Sequence, residues 1–261
     1  MAAETPIFVV DDVLKVYGRA PQAVTAVDHV SLTVPAGQRL GIVGESGSGK
    51  STLVRMMAAL SRPTSGEISF QGQSIIGHRE RDLAWLRRGV QMVFQDPRSS
   101  LDPRMTVAGI IAEPLRSRIW DGLERPDPKT RVVKLLTQVG LEPDAAGRYP
   151  HQFSGGQRQR IAIARALAPK PKVLIADEAV SALDVSVRAQ VLNLLTDLVN
   201  QHGLTLLFVS HDLTVVRHLC DHVVVMQSGR IVEAGPVEQV YDDPQQAYTR
   251  QLLASVPVIR R

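Results

Sequence analysis

The run Gly44-Glu45-Ser46-Gly47-Ser48-Gly49-Lys50-Ser51 supplies what a polyphosphate needs from a protein. Its glycines let successive backbone N–H groups turn toward one anion, and Lys50 adds a mobile positive charge. Ser51 offers a hydroxyl suited to Mg2+. The apolar run Leu40–Val43 precedes the loop, and from Ser51 and Thr52 onward a helix-forming stretch runs to Leu60. Strand, glycine-rich loop and helix in that order make a phosphate cradle. A glycine-rich turn with an incidental lysine is the plain alternative, and it leaves the flanking strand and helix without a reason.

A second apolar run, Val173–Ala176, ends in Asp177 and Glu178. Adjacent residues on a strand point to opposite faces, so the two carboxylates divide two tasks. Asp177 is expected in the Mg2+ shell and Glu178 as the group that polarises the water attacking the γ-phosphate of ATP. Solvated acids at a strand end are the bland reading of these two residues alone. A third run, Thr205–Ser210, ends at His211-Asp212, which puts an imidazole at the end of the sheet where ligands bind. There His211 is expected to touch the γ-phosphate or the attacking water. A lone strand-end histidine is more often structural, and the functional reading leans on its company.

Holding these groups requires a sheet whose strands end at one edge. Leu40–Val43, Val90–Phe94, Val173–Ala176, Thr205–Ser210 and His222–Met226 are short, apolar and mostly β-branched, as buried parallel strands read. Helical spacing fills Ser51–Leu60, Gln157–Leu167, Val187–Gln201 and Leu213–Leu219, which predicts an α/β fold with crossover helices. The first 35 residues and Gly66–Ile75 alternate in short runs broken by Gly, Pro and Asp, the pattern of an antiparallel β subdomain. From Asp96 to Lys170 strand signals vanish between Pro97, Pro103, Pro114, Pro126, Pro128, Pro143 and Pro150, which predicts an inserted helical subdomain.

The 261 residues carry 30 Lys+Arg against 26 Asp+Glu, a net +4, with 44% apolar residues. That charge is too diffuse to point to nucleic acid. No apolar stretch approaches the ~20 residues of a membrane span, and the first residues do not read as a secretory signal. The one cysteine, Cys220, is expected to be a buried thiol in a reducing compartment, which puts the chain in the cytoplasm.

Phe153-Ser154-Gly155-Gly156-Gln157, followed by the helical run Arg158–Leu167, is a second glycine-rich helix opening. One ATP needs only one cradle, so two half-sites point to two chains. With this run the chain resembles the ATP-binding cassette family, whose signature is [LF]-S-G-G-Q, over essentially its whole length. The resemblance implies a RecA-like P-loop NTPase core with its β subdomain over 1–95 and 171–235, a helical subdomain over 96–170 and a tail over 236–261. It implies ATPase activity with ATP and Mg2+, in a head-to-tail pair of cassettes. There Ser154, Gly155, Gly156 and Gln157 would contact the ATP held by the opposite phosphate loop. Gln95 resembles the family's glutamine loop, which reports the γ-phosphate and Mg2+. Asp184, in Ser181-Ala182-Leu183-Asp184, resembles the aspartate loop across the dimer interface. His211 matches the switch histidine, and Tyr17 sits where the family stacks an aromatic ring on adenine.

Within the family the stretches Gly41–Gly49, Met92–Pro103 and Tyr149–Arg160 resemble ATP-binding subunits of peptide and nickel importers. The tail from Asp243 to Leu253 is similar to that group's D-P-x-H-P-Y-T-x-x-L-L, with Gln246-Ala247 in place of His-Pro. Ala179-Val180 replaces the usual Pro-Thr after Glu178, and no C-terminal iron–sulfur cysteines follow. The resemblance implies two transmembrane permease subunits, an extracytoplasmic substrate-binding protein and a second cassette, expected as a homologous sister chain, with a copy of this chain as the alternative. It places the chain peripherally on the cytoplasmic face of the membrane. Peptides are the expected cargo and nickel the alternative. A non-transport cassette protein, a nucleotide kinase and an exporter cassette are competing readings. A kinase leaves FSGGQ without a task, and a non-transport cassette lacks its usual coiled coil.

Overall fold

The apolar run Ile7–Val10 and Val13 build the first strand, and Ile7, Phe8, Val10 and Val13 are buried, with a register irregularity at Asp11-Asp12 between them. The computed structural model describes residues 6–19, 21–96 and 100–255. Pro97, the segment 97–99 of the stretch Met92–Pro103 and the end of the tail lie outside the described residues. The chain divides into two compact units, residues 1–78 with 205–261, and residues 79–204.

The first unit opens with β1 (Pro6–Tyr17) and β2 (Val24–Pro35), followed by β3 (Arg39–Val43), α1 (Lys50–Met57), β4 (Ser65–Phe70) and β5 (Gln73–Ser74). A four-stranded antiparallel sheet forms in the order β2-β1-β4-β5, the expected β subdomain. Phe8 and Phe70 pack at its centre with ring centroids 5.0 Å apart.

The second unit contains α2 (Ala84–Gly89), β6 (Val90–Val93), α3 (Val107–Arg116), α4 (Pro128–Gln138), α5 (Gly155–Leu167), β7 (Val173–Asp177) and α6 (Val185–His202). The helices begin where short polar side chains can cap them: Thr106 accepts from Gly109 N–H, and Asp127 from Thr130 N–H before Pro128. Helix α6 ends at Gly203 in the left-handed region. The buried Arg131 of α4 donates to the Leu167 and Ala168 carbonyls, tying α4 to the end of α5. β6 and β7 run parallel.

Returning to the first unit, β8 (Thr205–Val209), α7 (Leu213–Leu219), β9 (His222–Gln227), β10 (Arg230–Pro236), α8 (Val237–Asp242) and α9 (Ala247–Ala254) complete the chain. β3 lies parallel between β8 and β9, and β10 is antiparallel to β9. Leu40, Ile42, Val43, Leu206, Phe208 and Val224 are all buried there, as the continuous apolar runs predict. No described helix is long and apolar enough to cross a membrane.

Candidate functional site

In the first unit the chain leaves β3 at Val43 and turns through Gly44–Gly49 into α1. Gly44 has φ +149°, and an added Cβ there would overlap the Met226 carbonyl and stand 2.8 Å from Ser48 Oγ. Gly49 has φ +101°, and a Cβ there would overlap the Ala26 carbonyl. Backbone closes both positions, so no side chain can be admitted by repacking. The turn Ser228-Gly229 braces the loop: Gly229 N–H donates to Ser48 O at 3.0 Å, and Asp28 N–H to Gly229 O at 2.9 Å. Lys50 is only 4% exposed. Its ammonium donates to Gly44 O at 2.8 Å and Glu45 O at 2.7 Å. A cation satisfied by neutral carbonyls can exchange them for a phosphate oxygen, a stronger charge-assisted partner. Glu45, Ser46 and Gly47 are exposed, Ser48 is buried, and Ser51 and Thr52 are half-buried at the start of α1.

The parallel register of β3 and β8 pairs Ile42 with Val209. Gly44 and His211 each lie two residues further on, so loop and imidazole leave the same edge of this sheet. Ser210 N–H donates to Ile42 O at 3.2 Å, and Asp212 caps α7 through Thr214 and Val215 N–H. Tyr17 pairs with Val24 on β2, two residues from the Ala26 carbonyl that abuts Gly49. Tyr17 is 46% exposed, with Lys15 Nζ 4.7 Å from the ring centroid.

In the second unit, β6 and β7 pair Val93 with Ala176. Gln95 and Glu178 each follow two residues beyond that pair, where both chains leave the same end of these strands. Asp177 is 4% exposed, and Glu178 takes φ +50°. A left-handed non-glycine residue costs about 1–3 kcal/mol and persists where the surroundings impose it. Ser181 donates to the Glu178 carbonyl through its N–H and its hydroxyl, which closes the turn that follows. Asp177 here, and Ser51 in the first unit, are each a hard oxygen donor of the kind Mg2+ prefers, so the chemistry of each residue fits that ion.

The signature residues open α5. Ser154 Oγ accepts from Gln157 N–H at 3.3 Å, and Gln157 Oε1 accepts from Ser154 N–H at 3.0 Å, a reciprocal capping box. Ser154, Gly155 and Gln157 are exposed, while Gly156 is buried against Val187 of α6. Asp184 caps α6 by accepting from Val187 N–H at 3.0 Å. That bond, with one from the Ser186 hydroxyl, holds its carboxyl below the ordinary range. The signature and the aspartate loop are thus neighbours: Gly155 faces Leu183, and Gly156 faces Val187.

Two contacts at the phosphate loop carry no local mark in the sequence. The Met226 carbonyl packs against Gly44, and Gly229 N–H reaches Ser48 O, both from far downstream in the chain. Tyr248, in α9, accepts a hydrogen bond from Glu45 N–H at 3.2 Å.

Comparison with known proteins identifies the family of the chain. A family model described as "ABC transporter" matches residues 27–181. The chain is 52% identical over 239 residues to the oligopeptide transport ATP-binding protein AppF of Bacillus subtilis, covering 91% of this chain and 72% of that protein. It is 48% identical to the oligopeptide transport ATP-binding protein OppF of Salmonella typhimurium, covering 93% and 72%. It is 53% identical to the glutathione import ATP-binding protein GsiA of Escherichia coli, of which it spans 38%. Among solved structures, the dimeric post-hydrolysis state of the cassette MJ0796 with ADP and Pi superposes with TM-score 0.79 at 30% identity, covering 88% of this chain and 98% of that one. The structure of cbiO1 of Clostridium perfringens, part of the ABC transporter complex cbiONQ, gives 0.79 at 27% identity, covering 97% of each chain.

Proposed function

This chain belongs to the ABC transporter family, and we propose that it is the ATP-hydrolysing subunit of an importer that carries peptides across the cytoplasmic membrane. ATP binding and hydrolysis are the family's activity, and the chain has the ABC ATPase fold. What carries the cargo reading is two oligopeptide transport subunits at 52% and 48% identity, each matched over 72% of its length. Glutathione, the cargo in the name of the third relative, is itself a tripeptide. Nickel has no such support among these relatives.

Each site residue takes the role its chemistry suits. The N–H groups of Gly44–Thr52 and the Lys50 ammonium bind the phosphates. Ser51, Gln95 and Asp177 would hold Mg2+, which supplies charge neutralisation at the phosphates when bound. Glu178 takes the proton of the attacking water, and His211 steadies the γ-phosphate. Tyr17 covers the adenine. Ser154, Gly155, Gly156 and Gln157, with Asp184 beside them, face the nucleotide of a second cassette, so ATP joins the two. Because the helix opening at Ser154 is exposed and pre-capped, it offers free N–H groups to an anion with no rearrangement. The second cassette is a homologous sister chain. ATP must favour the closed pair by several kcal/mol and lose that preference when the γ-phosphate leaves.

The remaining partners follow from an importer's architecture: two permease subunits and an extracytoplasmic binding protein, with this chain peripheral on the cytoplasmic face. An open cleft of about 490 Å³ in the second unit, lined by Arg87, Gln91, Glu113, Pro114, Arg118 and Ile119, is a mixed polar and apolar surface suited to a permease's cytoplasmic loop. Its Arg87 is held by Glu80 at 2.8 Å. The test is ATPase activity of the complex reconstituted in lipid, with peptides, glutathione or nickel chelates presented by the cognate binding protein. Stimulation by peptides is expected. Stimulation by nickel chelates alone overturns the cargo, and turnover indifferent to any permease overturns the importer reading.

A further inference from the structure

Helix α9 puts a side chain from the tail on the phosphate loop, and it does so at an informative peptide group. Glu45 N–H donates to the Tyr248 hydroxyl at 3.2 Å, while the carbonyl of that same peptide group, Gly44 O, accepts from Lys50 Nζ at 2.8 Å. One peptide plane is therefore held at both ends, by the tail and by the lysine of the cradle. The helix that delivers Tyr248 is itself anchored. Gln245 and Gln246 N–H donate to the two carboxylate oxygens of Glu233 on β10, at 2.8 and 3.1 Å. This puts an anion at the helix N-terminus, where it is favourable, and it caps a helix whose own N-cap side chain makes no bond. The neighbouring Thr249 is 2% exposed, and Arg250 donates to Pro244 O at 2.8 Å. The Glu45 N–H lies on an exposed loop where water would satisfy it, so the tyrosine is not needed to relieve a buried donor. What the bond adds is orientation of the Gly44–Glu45 peptide.

We propose that Tyr248 is a positioning residue for the nucleotide: it fixes the Gly44–Glu45 peptide so that the loop is already shaped for phosphate before ATP arrives. This rests on the reading that Gly44–Thr52 binds the phosphates. Pre-shaping raises affinity by removing an ordering cost at binding and leaves the chemical step alone. The tail of this chain is thus a working part of its nucleotide site.

The test is the dissociation constant of a fluorescent ATP analogue, mant-ATP, for the full chain, with Tyr248→Phe removing only the hydroxyl. Kd is expected to rise about two- to tenfold, the span of a neutral hydrogen bond at about 1.4 kcal/mol per decade. The melting temperature should not move, and kcat of the reconstituted complex should stay within about twofold. Lys50→Ala separates the two ideas. If it binds mant-ATP like the parent, the phosphate-loop reading fails. If Lys50→Ala loses binding while Tyr248→Phe keeps the parent Kd, or if Tyr248→Phe lowers the melting temperature with Kd unchanged, the positioning role is overturned.

Discussion

Gly156→Ala probes the packing that joins the signature helix to the aspartate loop. A Cβ added at residue 156 would overlap Val187 Cγ1 and stand 3.6 Å from Val187 Cβ. Val187 sits in the first turn of α6, where a β-branched side chain has one strongly preferred rotamer, so it cannot swing clear without strain. Overpacking of this kind costs about 1–3 kcal/mol, and the better helix propensity of alanine returns at most about 1 kcal/mol, less so near a helix start. A net loss of about 1–2 kcal/mol lowers the melting temperature by about 2–8 °C in a chain of this size. Thermal unfolding followed by circular dichroism reads that shift, and ATP-driven dimerisation should weaken with it as α5 is pushed off α6. Val187→Ala removes the offending methyl. The double variant should therefore recover most of the loss, a coupling that only neighbours show. A parent-like melting temperature for Gly156→Ala, or a double variant no better than the sum of its parts, would refute the claim that this glycine is required by the approach of Val187.

Glu178→Gln keeps the shape of the side chain and removes its basicity, so ATP should bind with parent affinity while hydrolysis falls by two or more orders of magnitude. Size-exclusion chromatography of the chain mixed with its sister cassette and ATP should then show an accumulated cassette pair, and hydrolysis at the parent rate would take Glu178 out of the base role. At the far edge of the first unit, Arg39 donates to Asp221 at 3.0 Å, and this bond holds the Asp221 carboxyl below its ordinary 3.8. A lowered folded value means the pair stabilises above the ordinary carboxylate range and is lost as pH falls through the folded value. Asp221→Asn should therefore flatten the acid limb of a stability-against-pH curve below about pH 4. An unchanged acid limb would mean that the pair contributes nothing measurable.

Most of the frame is readable because buried parallel strands leave a compact signal. Leu40–Val43 was legible as an apolar run, and β3 occupies Arg39–Val43. Val173–Ala176 and β7 differ by the single residue Asp177, whose charge hides its membership of the strand. Helix starts are less visible. Apolar periodicity places a helix from Gln157, but α5 begins at Gly155, because the Ser154 cap and not an apolar contact forms the first turn. Helix α6 likewise begins at Val185, which is 82% exposed and carries no periodic signal, immediately after the Asp184 cap. Contacts that depend on register or distance in the chain leave no local trace. That Gln95 and Glu178 follow the same end of their strands is clear only from the pairing of Val93 with Ala176. Tyr248 meets Glu45 across 203 residues. The antiparallel β10 is only partly buried along its length, so it carries too weak an apolar pattern to read as a strand.

Several signature residues serve fold and expected ligand at once, and an alanine scan cannot separate the two. Ser154 is the clearest case. Its oxygen accepts from Gln157 N–H at 3.3 Å, which satisfies the helix, while its hydroxyl hydrogen stays available to a phosphate. Ser154→Ala loses both functions, with a capping cost of about 1 kcal/mol that obscures any loss of contact. Ser154→Asp divides them. Aspartate caps as well as serine and adds a negative charge that a helix N-terminus favours, so the folded chain should be at least as stable as the parent. The same charge has no proton to donate and repels phosphate, so ATP-dependent pairing should fail although nucleotide binding to the chain's own loop is intact. Ser154→Thr, which keeps acceptor and donor, should pair as the parent does. If Ser154→Asp dimerised with ATP as readily as Ser154→Thr, the serine would be a helix cap and nothing more, and the second half of the nucleotide site would have to be sought among other groups.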